Sequence, residues 1–99
     1  MKTVVVIPLH NGAAEIAACL RALKRQQHAT FTTIVVENGS SDQGAELVAR
    51  DFPEVELLRF GATLGFAGAC NRGIEAALTH DAEIVVLLNQ DTEVDPGCL

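Results

Sequence analysis

The apolar positions along the chain follow two alternating periods. Thr3–Leu9 is an almost continuous run of apolar and β-branched residues, the pattern of a strand covered on both faces. His10-Asn11-Gly12 interrupts it. Ala13–Arg25 then carries Ile16, Leu20 and Leu23 at the i, i+4, i+7 spacing of a core-facing helical stripe. Lys24 and Arg25 fall in its last turn, where cations suit the helix dipole. Thr32–Glu37 repeats the strand pattern around Ile34-Val35-Val36, and Asn38-Gly39-Ser40-Ser41-Asp42 is a dense turn signal. A second helix is expected from about Gln43 to Asp51, stopping before Pro53, with Ser41 or Asp42 as its cap. Val55–Phe60 reads as a third, more polar strand, suited to a place nearer the sheet edge. Gly61–Gly68 reads as a glycine-rich loop. Ala67–Thr79 reads as a third helix with Cys70, Ile74, Ala77 and Leu78 on one side. Glu83–Leu88 is expected as a buried fourth strand, followed by Asn89-Gln90-Asp91-Thr92-Glu93.

Strands alternating with helices predict an α/β fold, a Rossmann-like βαβαβαβ parallel sheet with right-handed crossovers. Sheets of this kind bind ligands outside the carboxyl ends of their strands. Those ends carry His10-Asn11, Glu37-Asn38, Thr63-Leu64-Gly65 and Asn89-Gln90-Asp91. Polar groups and glycines therefore gather at one rim, and the opposite rim has no such collection.

The chain has 99 residues, 48% of them hydrophobic and 20% charged, the profile of one compact domain able to bury a core. Seven basic against thirteen acidic residues leave a net charge of −6. That balance argues against nucleic acid as a partner, which needs a basic surface. It also means that a nucleotide diphosphate needs a metal ion or backbone N–H groups to offset repulsion. Cys19, Cys70 and Cys98 form no CxxC pair, so a zinc site is not expected. They read as reduced thiols of a cytosolic protein, Cys19 and Cys70 serving as helix packing. No segment has the length of a transmembrane helix or the pattern of a signal peptide.

Each rim group admits a functional and a plain reading. Asp91, directly after a strand, can bind Mg²⁺ or Mn²⁺ that bridges phosphate oxygens, or it is an ordinary turn aspartate. Asn89 can orient Asp91 or a metal-bound water, and Glu93 is a weaker ligand candidate. Glu37 can accept hydrogen bonds from a base or ribose, or it helps form the turn; Asp42 suits a cap better than a ligand contact. Gly61, Gly65 and Gly68 allow close backbone approach, yet their spacing is neither GxGxxG nor a P-loop. Arg72 can pair with phosphate or sit solvated. His10 lacks a triad partner, Ser40 and Ser41 lack a nucleophile elbow, and His28 and His80 sit at helix ends.

Taken together and in order, these segments resemble a family. Val5-Val6-Ile7-Pro8-Leu9-His10-Asn11 resembles the opening strand of family-2 glycosyltransferases of the GT-A fold. Val35-Val36-Glu37-Asn38-Gly39-Ser40-Ser41-Asp42 resembles their second-strand motif. Leu64-Gly65-Phe66-Ala67-Gly68-Ala69-Cys70-Asn71-Arg72-Gly73 is similar to the loop and helix start of the rhamnosyltransferase-like branch. Leu87-Leu88-Asn89-Gln90-Asp91-Thr92-Glu93-Val94 is similar to that branch's version of the DXD motif. The resemblance implies that residues 1–99 are the N-terminal, nucleotide-sugar-binding half of such an enzyme. It implies a nucleotide site of Pro8 and His10 at the base, Glu37 at base or ribose, and Gly65 and Asn71 shaping the sugar-nucleotide pocket. Asp91 would ligate a divalent metal, Mg²⁺ or Mn²⁺, bridging the diphosphate. The reaction implied is transfer of a sugar from a nucleoside diphosphate sugar to an acceptor hydroxyl.

The chain departs from the family's pattern in three places. Asn89 stands where the first acid of DXD is common, and Asn38 where a second acid is common. Family members continue well beyond this length, and the continuation supplies the acceptor site and the general base. The chain is therefore expected to be a truncated donor half, inactive alone, located in the cytoplasm or at the inner face of the membrane, with room for a membrane-proximal acceptor. A half sheet leaves a strand edge and apolar surface open, so a homo-oligomer through that edge is expected. The alternative on the same fold is a non-catalytic nucleotide-binding or assembly module. A receiver-type signalling domain would place an acidic pair after the first strand, where His10-Asn11 stands.

Overall fold

The computed structural model of the protein describes residues 2–26, 31–39, 43–60 and 65–92. Within them the order is β1 (Thr3–Leu9), α1 (Ala13–Lys24), β2 (Phe31–Asn38), α2 (Gly44–Asp51), β3 (Glu56–Phe60), α3 (Gly65–Thr79) and β4 (Ile84–Leu87). The four strands form one parallel sheet in the order β3-β2-β1-β4. The α/β alternation is as the periodicity predicts, and the more polar β3 does lie at an edge.

The sheet has two packed faces because its strands are apolar in both directions. Val5, Ile7 and Leu9 of β1 and Val35 of β2 pack with Ile16, Leu20 and Leu23 of α1 and Val48 of α2. Val4 and Val6 of β1 and Ile34 and Val36 of β2 pack with Ala69 and Ala77 of α3. Successive strand residues point to opposite faces, so β1 and β2 serve both layers and are wholly apolar at their centres. The face toward α3 is thin. A Cβ added at Gly73 would collide with the Val6 side chain and come within 3.2 Å of Val36; glycine there lets the helix lie against the two central strands.

Several expectations need correction. Helix α3 begins at Gly65, two residues earlier than Ala67. Gly65 itself has φ +76 with open space around it, so the glycine meets a backbone requirement at the helix start. Leu78 does not belong to the packed side of α3; it is exposed, while Cys70 and Ala77 are buried. Strand β4 is not buried: Ile84 and Leu87 are 41% and 47% exposed, because no described strand lies beyond it in the sheet. The N-cap of α2 is Gln43 rather than Ser41 or Asp42, and it makes no side-chain capping hydrogen bond among the described residues. Ser40, Ser41, Asp42, His28, Thr63, Leu64, Glu93 and Cys98 lie outside the described residues. Among those described, no helix is long and apolar enough to cross a membrane.

Candidate nucleotide-sugar site

The carboxyl ends of β1, β2 and β4 and the start of α3 are tied to one another by side chains. β2 ends on Glu37 and Asn38, which are 6% and 5% exposed. A central strand pair holds them: Glu37 is in register with Leu9 of β1 and Arg59 of β3. The Asn38 side-chain Nδ2 donates to the Gly65 carbonyl at 3.3 Å, fixing the start of α3 against β2. The Asn38 carbonyl accepts from His10 Nδ1 at 2.8 Å. A carbonyl can only accept, so the His10 ring carries a proton on Nδ1. The Asn11 amide lies 3.4 Å from His10 Nε2. Asn11 turns the chain into α1 with φ +47, a conformation asparagine tolerates better than most residues.

On the other side of His10, the Gln90 side chain pairs with its backbone. Gln90 Oε1 accepts the His10 N–H at 2.7 Å, and Gln90 Nε2 donates to the His10 carbonyl at 3.0 Å. Gln90 belongs to a β-turn closed by Thr92 N–H on the Asn89 carbonyl at 3.0 Å. Asp91 is the third residue of that turn and is exposed. Its turn geometry is that of an ordinary turn aspartate; its distinction is the rim it belongs to.

The sequence-derived site residues thus divide. His10, Glu37, Gly65 and the Asp91 turn come to one rim. Pro8 is buried in β1, in register with Val36 and two residues before His10. Asn71 is exposed in the second turn of α3. Arg72 lies 5.9 Å from the Phe60 ring and 3.5 Å from Glu75. Gln90, Gly12 and Glu15 were not predicted as site residues, and no local signal marks them: Gln90 and His10 are 80 positions apart in the chain. Among the described residues, no three His, Cys, Asp or Glu side chains gather as a metal cluster. Cys19 and Cys70 are free and buried, and burial pushes the Cys70 thiol up. A cavity of about 410 Å³ lined by Leu20, Phe31, Phe52 and Val55 lies at the amino ends of β2 and β3, away from this rim.

Residues 4–99 match the family described as Glycosyl transferase family 2. The chain belongs to that family. It is 34% identical over 98 residues to the uncharacterized glycosyltransferase YibD of Escherichia coli (strain K12), covering 96% of this chain and 27% of that protein. It is 32% identical over 76 residues to a PGL/p-HBAD biosynthesis glycosyltransferase of Mycobacterium tuberculosis (strain ATCC 25177 / H37Ra), covering 74% of this chain and 30% of that one. The chain therefore spans under a third of the length of these curated relatives. Among solved structures, S. aureus TarS 1-349 in complex with UDP-GlcNAc superposes with a TM-score of 0.84 at 22% identity, over 96% of this chain and 28% of that one. The mannosyltransferase PcManGT from Pyrobaculum calidifontis, in complex with GDP-Man and Mn²⁺, superposes at 0.71 with 26% identity, over 90% and 27%. The GT-A fold expected from the sequence is therefore established, as is the glycosyltransferase family.

Proposed function

We propose that residues 1–99 are the donor-binding half of a family-2 glycosyltransferase, which moves a sugar from a nucleoside diphosphate sugar to an acceptor hydroxyl. The observation that carries this reading is the rim itself. In a family-2 chain, His10, the buried Glu37 and Asn38, the start of α3 and the Asp91 turn converge at the carboxyl ends of a parallel sheet, where such sheets bind ligands. The GDP-Man and Mn²⁺ bound by PcManGT support a nucleotide sugar and a divalent ion as the ligand class.

The residues take complementary roles. The His10 ring, with a proton held on Nδ1, and the Glu37 carboxylate face the base and ribose, with Pro8 setting the strand end behind them. Gly65 and Asn71 shape the pocket on the α3 side. Asp91 holds the metal. A single exposed carboxylate fits an ion that arrives with its nucleotide, because Mg²⁺ and Mn²⁺ sites of this kind use one or two carboxylates plus substrate phosphates and waters. When bound, the ion offsets the charge developing on the diphosphate leaving group. With a net charge of −6 on the chain, that offset is needed for binding as well. Asn89-Gln90-Asp91 in place of DXD supports a place in the rhamnosyltransferase-like branch. The general base and acceptor site belong to the part of the longer relatives that this chain does not span. Action on the cytoplasmic side, toward a membrane-proximal acceptor, completes the reading. The edge of β4 that no described strand covers, with Ile84 and Leu87 exposed, is the surface for self-association of these residues, checked by sedimentation.

The test is a calorimetric titration of UDP, dTDP and GDP, each with and without Mn²⁺, on wild type and Asp91→Ala. Metal-dependent binding of a nucleoside diphosphate, lost in the variant, is expected. Binding indifferent to metal and to Asp91 would overturn the donor-site reading and leave a non-catalytic nucleotide-binding or assembly module.

A further inference from the structure

Gln90 connects the two sides of the rim through its side chain. Strand β4 pairs with β1 as far as Val6↔Leu87, and the Leu88 N–H closes on the Val6 carbonyl at 3.0 Å. By the alternation of the ladder, Pro8 and then His10 face the same side as Val6. Pro8 has no N–H to offer, so the ladder lapses there. At His10 the Gln90 amide takes the place of a strand backbone, accepting the N–H and donating to the carbonyl. Its Nε2 also donates to Glu15 Oε1 at 3.1 Å. A primary amide has two N–H donors and a carbonyl acceptor; here both donors and the carbonyl are engaged, with the backbone that follows β1 and with the first turn of α1.

Gly12 completes the fit. Its φ is −144, a value that does not call for glycine. A Cβ there would instead run into Gln90 Nε2 and lie 2.6 Å from Gln90 Cδ. Glycine at this position makes room for the amide.

We infer that Gln90 is a positioning residue of the donor site: its amide locks the Asp91 turn to the His10 backbone and so sets the spacing between the metal carboxylate and the base-side ring. This rests on the nucleotide-sugar reading above. Gly12→Ala expels the same amide from the opposite wall without substituting Gln90, and a flexible side-chain end yields before the backbone does. The two changes therefore act on one device, and their effects are not additive.

The experiment compares wild type, Gln90→Ala, Gly12→Ala and the double variant, by amide hydrogen exchange at His10 and by titration of UDP with and without Mn²⁺. Exchange at His10 is expected to rise about tenfold in each single variant, as loss of a hydrogen-bonded rung allows. UDP affinity in the presence of Mn²⁺ is expected to fall about tenfold, with metal-free UDP affinity little changed and the double variant no worse than either single one. Unchanged His10 exchange in Gln90→Ala overturns the lock. Losses that add in the double variant, or that fall equally with and without metal, overturn the positioning role and leave a general structural one. A wild-type chain that binds none of UDP, dTDP and GDP with Mn²⁺ sinks the donor reading and the positioning role with it, while His10 exchange still decides whether the lock exists.

Discussion

Glu37 and Asn38 end a strand flanked on both sides by others, and they are 6% and 5% exposed. Asp91 follows a strand with one paired side and lies exposed in a turn. Both belong to one rim, yet they differ in what holds them. The β2 side is set by the core: its polar groups are buried, and Asn38 is placed by hydrogen bonds to His10 and Gly65 before any ligand arrives. The Asp91 side is set by a few side-chain bonds to its neighbour Gln90. A base needs fixed donors and acceptors, so a rigid floor suits it. A hydrated metal arriving with a diphosphate needs an accessible carboxylate with room for water and phosphate oxygens. On the proposed donor-site reading, shape recognition falls to the central strands and charge recognition to the edge.

Substitutions that break the two sides separately test this contrast. The largest effect is expected at the floor. Gly73→Val drives a side chain into Val6 and Val36, both fully buried. It should destabilise by roughly 3 kcal/mol, lowering Tm by more than roughly 10 °C in a domain of this size. An unchanged melting curve would mean that α3 is not seated against β1 and β2. Asn38→Asp comes next. A carboxylate cannot donate to the Gly65 carbonyl that the amide now satisfies, so a cost of about 1–2 kcal/mol is expected by denaturant titration. Asp91→Ala should change stability by less than about 0.5 kcal/mol, as for other exposed positions, while removing metal-dependent nucleotide binding. A large stability loss there would make Asp91 a structural residue and erase the contrast.

The smallest effect lies at the far rim. A hydrogen bond from its own backbone N–H holds the Glu54 carboxyl below the usual range; burial opposes this, and Lys24, 3.2 Å away, adds to the lowering. A depressed folded-state value stabilises above the ordinary carboxylate pKa, and that stabilisation is lost as pH falls through the folded value. Glu54 is about half exposed, so the effect is small. Tm measured from pH 7 into the acid range should fall slightly less in Glu54→Gln than in wild type. Nucleotide affinity at neutral pH should be the same in both.

The parts of this architecture that read directly from the sequence are those set by local pattern. The Val4–Ile7 and Ile34–Val36 runs announce strands packed on both faces, and Ile16, Leu20 and Leu23 announce the buried stripe of α1. His10, Glu37 and Asp91 stand out because each lies at or shortly beyond the carboxyl end of a strand. What escaped was set by contacts far apart in the chain or by what covers a surface. The Ile84–Leu87 run is as apolar as a buried strand, but apolarity reports what a strand can pack against, and no described strand covers its outer edge. Gly65 and Phe66 read as loop because glycine usually breaks a helix; here a positive φ at Gly65 starts one. Asn38 looked like a weakened acidic site. Its amide instead supplies a donor to Gly65 that an acid lacks. The pairing of Gln90 with His10 across 80 positions has no local signature at all.

On the proposed reading, a divalent metal and a nucleoside diphosphate meet at Asp91 beside the His10 and Asn38 strand ends. Nuclear magnetic resonance of the ¹⁵N-labelled chain with UDP and a trace of paramagnetic Mn²⁺ tests it most directly, because signal loss maps distance from the ion. Broadening is expected to centre on the Asp91 turn and reach the His10, Asn38 and Gly65 amides, strengthened by UDP and abolished in Asp91→Ala. Broadening centred on another carboxylate, or unchanged in that variant, would contradict that reading.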